Sequence, residues 1–322
     1  MPQPTGTDLY HNPLLTNVAV AYIQSQTDFV AHRAFPEVPV DLQGGLYTEF
    51  PRGDWMRSVA RKRGPGTESQ GSGWRQERKP YFTEVYAIHK DISSQDRAND
   101  ELMTLDPLAS QFVARQLLLQ REIDWATRYM TTGVWTGITT GVASSVMAGQ
   151  FLQWNDANST PIRDIRNAAL ARKEATGFRP NKLALGPYAW EALIQHPKVL
   201  ERMAITQTRV ATTALLAQLF DLDEVMVPFG SVNTAAEGDA DVISFIAGKS
   251  ALLFYAPPQP GMFVPSAGYT FTWRGFLGAV GGTRVVRFPM RELSSDRVEG
   301  ESAYAQHLVA ADLGHYFATA VA

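Results

Sequence analysis

The residues that could do chemistry are few and scattered. Six histidines, His11, His32, His89, His196, His307 and His315, have no second histidine or carboxylate at the helical spacing a metal site uses. The H-E-x-x-H pattern is absent. His307 and His315 are placed to share a helical face near the C-terminus, yet they lack a third ligand or an acid–base partner and read as structural or surface residues. Asp221, Asp223 and Glu224 cluster before "VMVP". Paired carboxylates do general acid–base work, but these fall at an expected helix-to-strand junction and read as a solvated turn. "AGKS" at 247–250 resembles the end of a phosphate loop, but the glycine that motif needs five positions before Gly248 is Ile243. The cradle of backbone N–H groups is then lost. "GAVGG" at 278–282 lacks the dinucleotide spacing and the helix that should follow it. There is no G-x-S-x-G elbow and no cysteine, which removes disulfides, thiolate catalysis, zinc ribbons and iron–sulfur clusters. The expectation is a chain that is not an enzyme, with no catalytic residue, cofactor or metal.

The bulk numbers leave room for a different kind of protein. The 322 residues allow two or more packed layers and two domains. With 45% apolar and 19% charged residues, the chain can bury a core. A net charge of -3 gives no global attraction to nucleic acid or anionic membrane, so any such contact must be local. "MPQPTGTDLYHNPLL" has neither a basic leader nor an apolar core of a signal peptide, and no run approaches the length of a membrane span. A soluble, cytoplasmically made protein is expected.

One local charge imbalance stands out. "RSVARKRGPGTESQGSGWRQERKP", residues 57–80, carries Arg57, Arg61, Lys62, Arg63, Arg75, Arg78 and Lys79 against Glu68 and Glu77. Gly64, Pro65, Gly66, Gly71 and Gly73 forbid a long helix there. Strand candidates bracket it: "LYTEFPRGDWM" (46–56) and the alternating "YFTEVYAIHKDI" (81–92). Together they predict a long hairpin with a basic, glycine-rich tip, far beyond the usual loop length. Binding of nucleic acid phosphates, with Trp55 and Trp74 stacking on bases, and a surface loop without a role are two readings. The favoured one is an arm that becomes ordered on a neighbouring subunit, because strands too long for their own core need another surface.

Residues 1–45 read as an arm, with "NVAVAYI" and "DFVAHRAF" between prolines and an extended "FPEVPVDLQGG". "LDPLASQFVARQLLLQREIDWATRYMTTG" predicts a helix capped by Asp106, with Pro107 at its first position and Gly133 as terminator. Leu105, Leu108, Phe112, Leu119, Ile123, Ala126 and Met130 form its expected apolar stripe. Twenty-five or so residues make a spine roughly 37 Å long. The 131–154 stretch reads as a linker with short extended pieces. A compact α/β segment follows, opened by a helix from Thr160 and Pro161 to Gly177, and from about 265 the chain returns to strands.

That order of elements resembles the major capsid proteins of tailed bacteriophages, the HK97-type shell fold. "AFPEVPV", "NKLALGPYAWEALIQHPKVLERM" and "LFDLDEVMVPFG" are similar to phrases of that family. The resemblance spans nearly the whole chain and implies an α+β fold. Its parts would be an N-terminal arm (1–45), an extended hairpin loop (46–92) and a peripheral domain with the spine helix (93–154). An axial α/β domain (155–262) and closing peripheral strands (263–322) would complete it. It implies a subunit that self-assembles as pentamers and hexamers into an icosahedral shell around double-stranded DNA, in a virion built in the host cytoplasm. The seven basic residues of 57–80 would form the inter-subunit loop, and Leu108, Phe112, Leu119, Ile123 and Met130 the core of the spine. "FGSVNTAAEGDA" would approach the capsomer axis, and "PMRELSSDRVEGE" the junction of three capsomers. With the loop starting near residue 46 there is no room for a long scaffolding region, which implies a separate scaffolding protein, or none. A portal, a decoration protein and DNA held by non-specific contacts are the other expected partners, with no membrane. An encapsulin-like compartment packaging a cargo enzyme shares the fold and is the alternative.

Overall fold

A computed structural model describes residues 28–99, 105–204, 212–261, 264–277 and 282–322. "NVAVAYI" and most of "GAVGG" lie outside the described residues. Two sheets organise the rest, joined by one long helix.

The five-stranded sheet is built on Ser295–Leu308, a strand of 14 residues. One edge of it pairs antiparallel with Glu84–Ser93, from Ser295↔Ser93 to Tyr304↔Glu84. Along the other edge Thr283–Met290 and then Gly268–Trp273 follow one another, both antiparallel. Glu37–Val40 closes the sheet in parallel against Gly268–Trp273. The expected 81–92 strand is broken at buried Thr83, whose N–H and hydroxyl both donate to the Gln43 carbonyl at 2.9 Å. Residues before the break therefore belong to the hairpin, and those after it to the sheet.

The helix Leu105–Tyr129 lies across this sheet. It is already under way at Leu105, so Asp106 sits in its first turn rather than at the cap, and it ends before Gly133, whose φ of 85° turns the chain. The apolar stripe is rotated from expectation. Leu108 and Phe112 are 56% and 47% exposed, Leu119 and Ile123 are half-buried, and only Met130 of the five named core residues is buried. The buried face runs instead through Ala109, Ser110, Val113, Ala114, Leu117, Leu118, Arg121, Glu122, Trp125, Ala126 and Tyr129. The reason is steric: helix and sheet approach so closely that a Cβ on Gly300 would stand 2.1 Å from Val113 Cγ1. Ala109, Ser110, Val113 and Ala114 take the N-terminal part of that face, and Leu117, Leu118, Trp125 and Tyr129 fill the rest.

The second sheet has six strands, in the order Gln150–Leu152, Gly137–Val142, Gly314–Ala318, Ala251–Phe254, Lys182–Leu185, Glu224–Met226. Its members at 137–152 and 314–318 come from outside the 155–262 span expected for this unit. The "linker" is two of its strands. Their threonine- and glycine-rich composition masked them, because they pair in parallel only with each other and with the distant 314–318 strand. The helix Pro161–Thr176 has Thr160 before it, proline at its start and Gly177 at φ 79° after it, as its end signals predict. With Pro187–Gln195, Pro197–Ala204 and Thr213–Phe220 it covers a core around Trp154, Leu183, Leu193, Phe220 and Phe317. A second core joins arm, helix and sheet: Phe35 packs edge-on against Trp125, Tyr129 and Phe254. "LYTEFPRGDWM" is strand only as far as Glu49. After Pro51 it turns into a short helix, Arg52–Met56.

Candidate assembly interface

The basic stretch is carried on a two-stranded hairpin, Gly44–Glu49 against Glu77–Phe82, in register from Gly44↔Phe82 to Glu49↔Glu77. Aromatic rings fasten its base to the five-stranded sheet. Tyr81 stacks on Phe271 with centroids 4.4 Å apart and planes 11° from parallel, and Tyr47 packs on Phe271 at 5.7 Å. Gly45 is required beside that stack, since a Cβ there would lie 2.7 Å from the Tyr81 hydroxyl. Burial raises the Tyr47 hydroxyl pKa, keeping it neutral against the body.

Further out the hairpin narrows to a neck. Asp54 accepts from the Arg75 backbone N–H at 3.0 Å and its Nε at 3.1 Å, and those bonds hold the Asp54 carboxyl below its usual range. Trp55 and Trp74 meet across the neck at 5.6 Å with their planes tilted by 34°, and Phe50 meets Trp55 edge-on. Lys79 is paired with Glu49 at 2.5 Å, a bond that raises its pKa. Two of the seven basic residues are thus spent inside the hairpin. Every residue from 57 to 76 is exposed and outside any strand or helix. A turn at the tip has Pro65 followed by Gly66 at φ 75°, with the Thr67 hydroxyl donating to the Gly64 carbonyl at 2.8 Å. Arg63 is turned inward onto the Thr67 carbonyl. Arg57, Arg61, Lys62 and Arg78 present their charge to solvent, with no ion pair given to them among the described residues.

Between the hairpin and the body lies an open cleft of about 1480 Å³, walled by Tyr47, Phe50, Trp55, Phe178, Tyr269 and Phe271. Arg52, at the foot of the short helix, forms an ion pair with Asp312 across it. The arrangement offers a charged tip and an aromatic neck.

The other candidates are dispersed. His307 lies on Ser295–Leu308 and His315 on Gly314–Ala318, strands of different sheets, and burial depresses the pKa of each, that of His315 to about 4. Asp221 pairs with Arg179, Asp223 accepts from Asn181 at 3.0 Å, and Glu224 pairs with Arg33 at 3.3 Å. "AGKS" is the turn into Ala251–Phe254. Among the described residues no cluster fit to hold a metal ion occurs, and no helix is long and apolar enough to cross a membrane. "FGSVNTAAEGDA" contributes Ser231–Asn233, which pairs with Ile243–Phe245 in a small exposed hairpin. "PMRELSSDRVEGE" is the tight link between two long strands, with Ser294 at φ 45°.

Sequence reasoning missed one buried group. Glu122 is fully buried, and its Oε2 accepts the backbone N–H groups of Val30 at 2.9 Å and Ala31 at 2.7 Å, binding the arm to the long helix. Beside it Arg121 pairs with Glu37 at 2.6 Å. A Glu next to an Arg inside an otherwise apolar helix face was the available signal.

The fold is the HK97-type α+β shell fold of tailed-phage capsid proteins. A solved capsid of the cyanophage P-SCSP1u covers 90% of this chain and 88% of its own at a TM-score of 0.54 and 12% identity. The crystal structure of a phage-related protein from Bordetella bronchiseptica RB50 is similar over 97% of this chain and 98% of its own, with a TM-score of 0.73 and 22% identity. In sequence the chain is 24% identical over 320 residues to the major capsid protein of Burkholderia phage BcepMu, covering 94% of each. No family model matches it.

Proposed function

We propose that this chain is a major capsid protein, a structural subunit that self-assembles into the icosahedral shell of a phage and encloses double-stranded DNA. The observation that carries the reading is the exposed 57–76 loop, held at arm's length by a hairpin stacked on the body, in a chain whose fold is similar to solved phage capsids over about nine-tenths of its length. In this reading the five-stranded sheet and long helix form the peripheral part and the six-stranded sheet the axial part. The loop of one subunit lies on its neighbour, where Arg57, Arg61, Lys62, Arg63 and Arg78 meet acidic surface, with Arg75 and Lys79 stiffening the neck. Each such contact is weak at a solvated rim, but a closed shell repeats it many times.

The subunits would form pentamers and hexamers in the host cytoplasm, with a separate scaffolding protein, a portal and a decoration protein as partners. DNA would be held inside by non-specific contact. The test is light scattering with negative-stain microscopy on the purified chain across salt concentrations, with and without a scaffolding partner. Closed shells or capsomers are expected, and a strictly monomeric chain under all conditions overturns the reading. Shells that fill with a cargo enzyme instead of DNA would move it to an encapsulin-like compartment.

A further inference from the structure

Ser295–Leu308 has strands on both sides, but Glu84–Ser93 has a neighbour on one side only. It is a free edge of the five-stranded sheet, 10 residues long, and its ladder runs without a bulge from Glu84 to Ser93. In such an antiparallel ladder alternate residues turn their N–H and C=O groups away from the partner strand. Among the described residues, no other segment bonds to the outward groups of residues 85–92. A long, regular edge is a template for another strand, and sheets blunt such edges with proline, bulges or short length. The outer strand Thr283–Met290 carries Pro289, whereas Glu84–Ser93 has none of these devices. Val85, Ala87 and His89 along it are exposed. So are its charges Glu84 and Lys90, and among the described residues neither is in an ion pair. Glu84 accepts only the Tyr86 hydroxyl, at 3.1 Å.

The spacing of those charges points to the occupant. Two antiparallel edges bond only where an outward-turned residue faces another, so when a strand pairs with its own copy, even positions face even and odd face odd. Centred on Ala87, such a contact sets Glu84 of each copy opposite Lys90 of the other. Val85 then faces His89, and Tyr86 faces Ile88. Centring on Tyr86, Ile88 or His89 leaves Glu84 and Lys90 without an opposite charge, and centring on Lys90 sets two lysines against each other, which destabilises the pairing. We propose that the Glu84–Ser93 edge pairs antiparallel with the same strand of a second copy of this chain, about a two-fold axis at Ala87. Facing residues then share a face, so the two sheets continue into one with both long helices on the same side. The contact is isologous and closes on itself. It goes beyond the capsid reading and does not depend on it, since any two copies can make it. In a shell it adds a two-fold contact to the one made by the loop.

The chain has no cysteine, so an engineered thiol reports without background. In the proposed register Ala87 faces Ala87, with Cα atoms about 4.5–5.5 Å apart, inside the span of a disulfide. The two copies of His89 stand about 13 Å apart along the strands, beyond that span. Under mild oxidation the full chain carrying Ala87→Cys should form a disulfide-linked dimer on a non-reducing gel at least about tenfold faster than one carrying His89→Cys. A mixture of Val85→Cys and His89→Cys chains should cross-link as well, because those positions face each other. Glu84→Lys added to Ala87→Cys turns two attractive pairs into repulsive ones and should slow the dimer at least about threefold. Lys90→Glu added to that variant should restore the rate. Circular dichroism establishes that each variant is folded. A folded Ala87→Cys chain that dimerises no faster than His89→Cys overturns the proposal, and so does a charge swap that fails to restore the rate.

Discussion

Glu122 Oε2 accepts the backbone N–H of Ala31 at 2.7 Å, across 91 positions of sequence, in a site closed to solvent. The bond satisfies donors that open a short helix and places a carboxylate at its positive end. Burial nevertheless outweighs these bonds and pushes the carboxyl up to about 7. Between the ordinary value of 4.5 and about 7 the folded chain keeps a proton that the unfolded chain has released. The Glu122 contribution to stability is therefore complete below that window and lost as pH rises through it. His32, held neutral down to about 4 by burial and by Arg121, acts in the opposite sense, losing its contribution as pH falls from 6.5. Glu122→Gln retains an acceptor and removes one of the two titrations. Urea midpoints at pH 5 and pH 8 should differ between native chain and variant by an amount absent from a His32→Asn control. Equal pH responses in the native chain and Glu122→Gln would show that Glu122 does not titrate in this window.

Removal of the acceptor is a harsher change. Glu122→Ala leaves two buried N–H groups without a partner, and we expect a loss of roughly 2–5 kcal/mol in unfolding free energy. Chemical denaturation measures it, and a loss under about 1 kcal/mol would mean that the arm reorganises freely.

The acid limb of stability rests elsewhere. Asp106 is held below its usual range chiefly by bonds from Arg97, with Arg287 adding to it, and Asp91 by Arg297. Both groups contribute stability that is present above pH 3.8 and lost as pH falls through their depressed values. Asp106→Asn should lower the midpoint at pH 7 while leaving the chain at pH 2.5 nearly unchanged. A variant equally destabilised at both pH values would show that packing, not charge, is what Asp106 supplies.

Gly300 is the point where the long helix presses on the sheet. An alanine there sets Cβ 2.1 Å from Val113 Cγ1, so Gly300→Ala should cost about 1–3 kcal/mol by overpacking. Val113→Ala combined with it should restore part of the loss by opening that space. Strict additivity in the double-mutant cycle would mean that the two residues do not meet.

Charge reversal at the loop tip separates assembly from folding. Arg61, Lys62 and Arg63 changed together to glutamate should leave the unfolding midpoint of the subunit within about 0.5 kcal/mol, since all three are exposed. Sedimentation should show the yield of shells or capsomers falling, with raised salt weakening assembly of the native chain in the same direction. Normal shells from the triple variant would remove electrostatics from the contact.

Much of this fold was readable from local signals. Pro161 and Gly177 mark a helix because a proline at the start and a left-handed glycine at the end are chemistry of neighbouring residues, although the Thr160 hydroxyl donates to Asp164 and caps no backbone N–H. The glycines and charges of 57–80 likewise announce a segment that cannot be packed. What escaped was set at long range. Residues 137–142 become a strand through pairing with 314–318, and the buried face of the long helix is chosen by Gly300, almost two hundred positions from Ala109. Glu122 was passed over because a lone acid on a helix reads as solvated until the backbone it serves is known.

The strand Gly314–Ala318 sits third in its sheet, between Gly137–Val142 and Ala251–Phe254. Without it the strands at 137–152 have no neighbour through which to join those at 182–254. During synthesis this half of the molecule therefore stays divided until residue 318 has left the ribosome, although the helices that cover it are made long before.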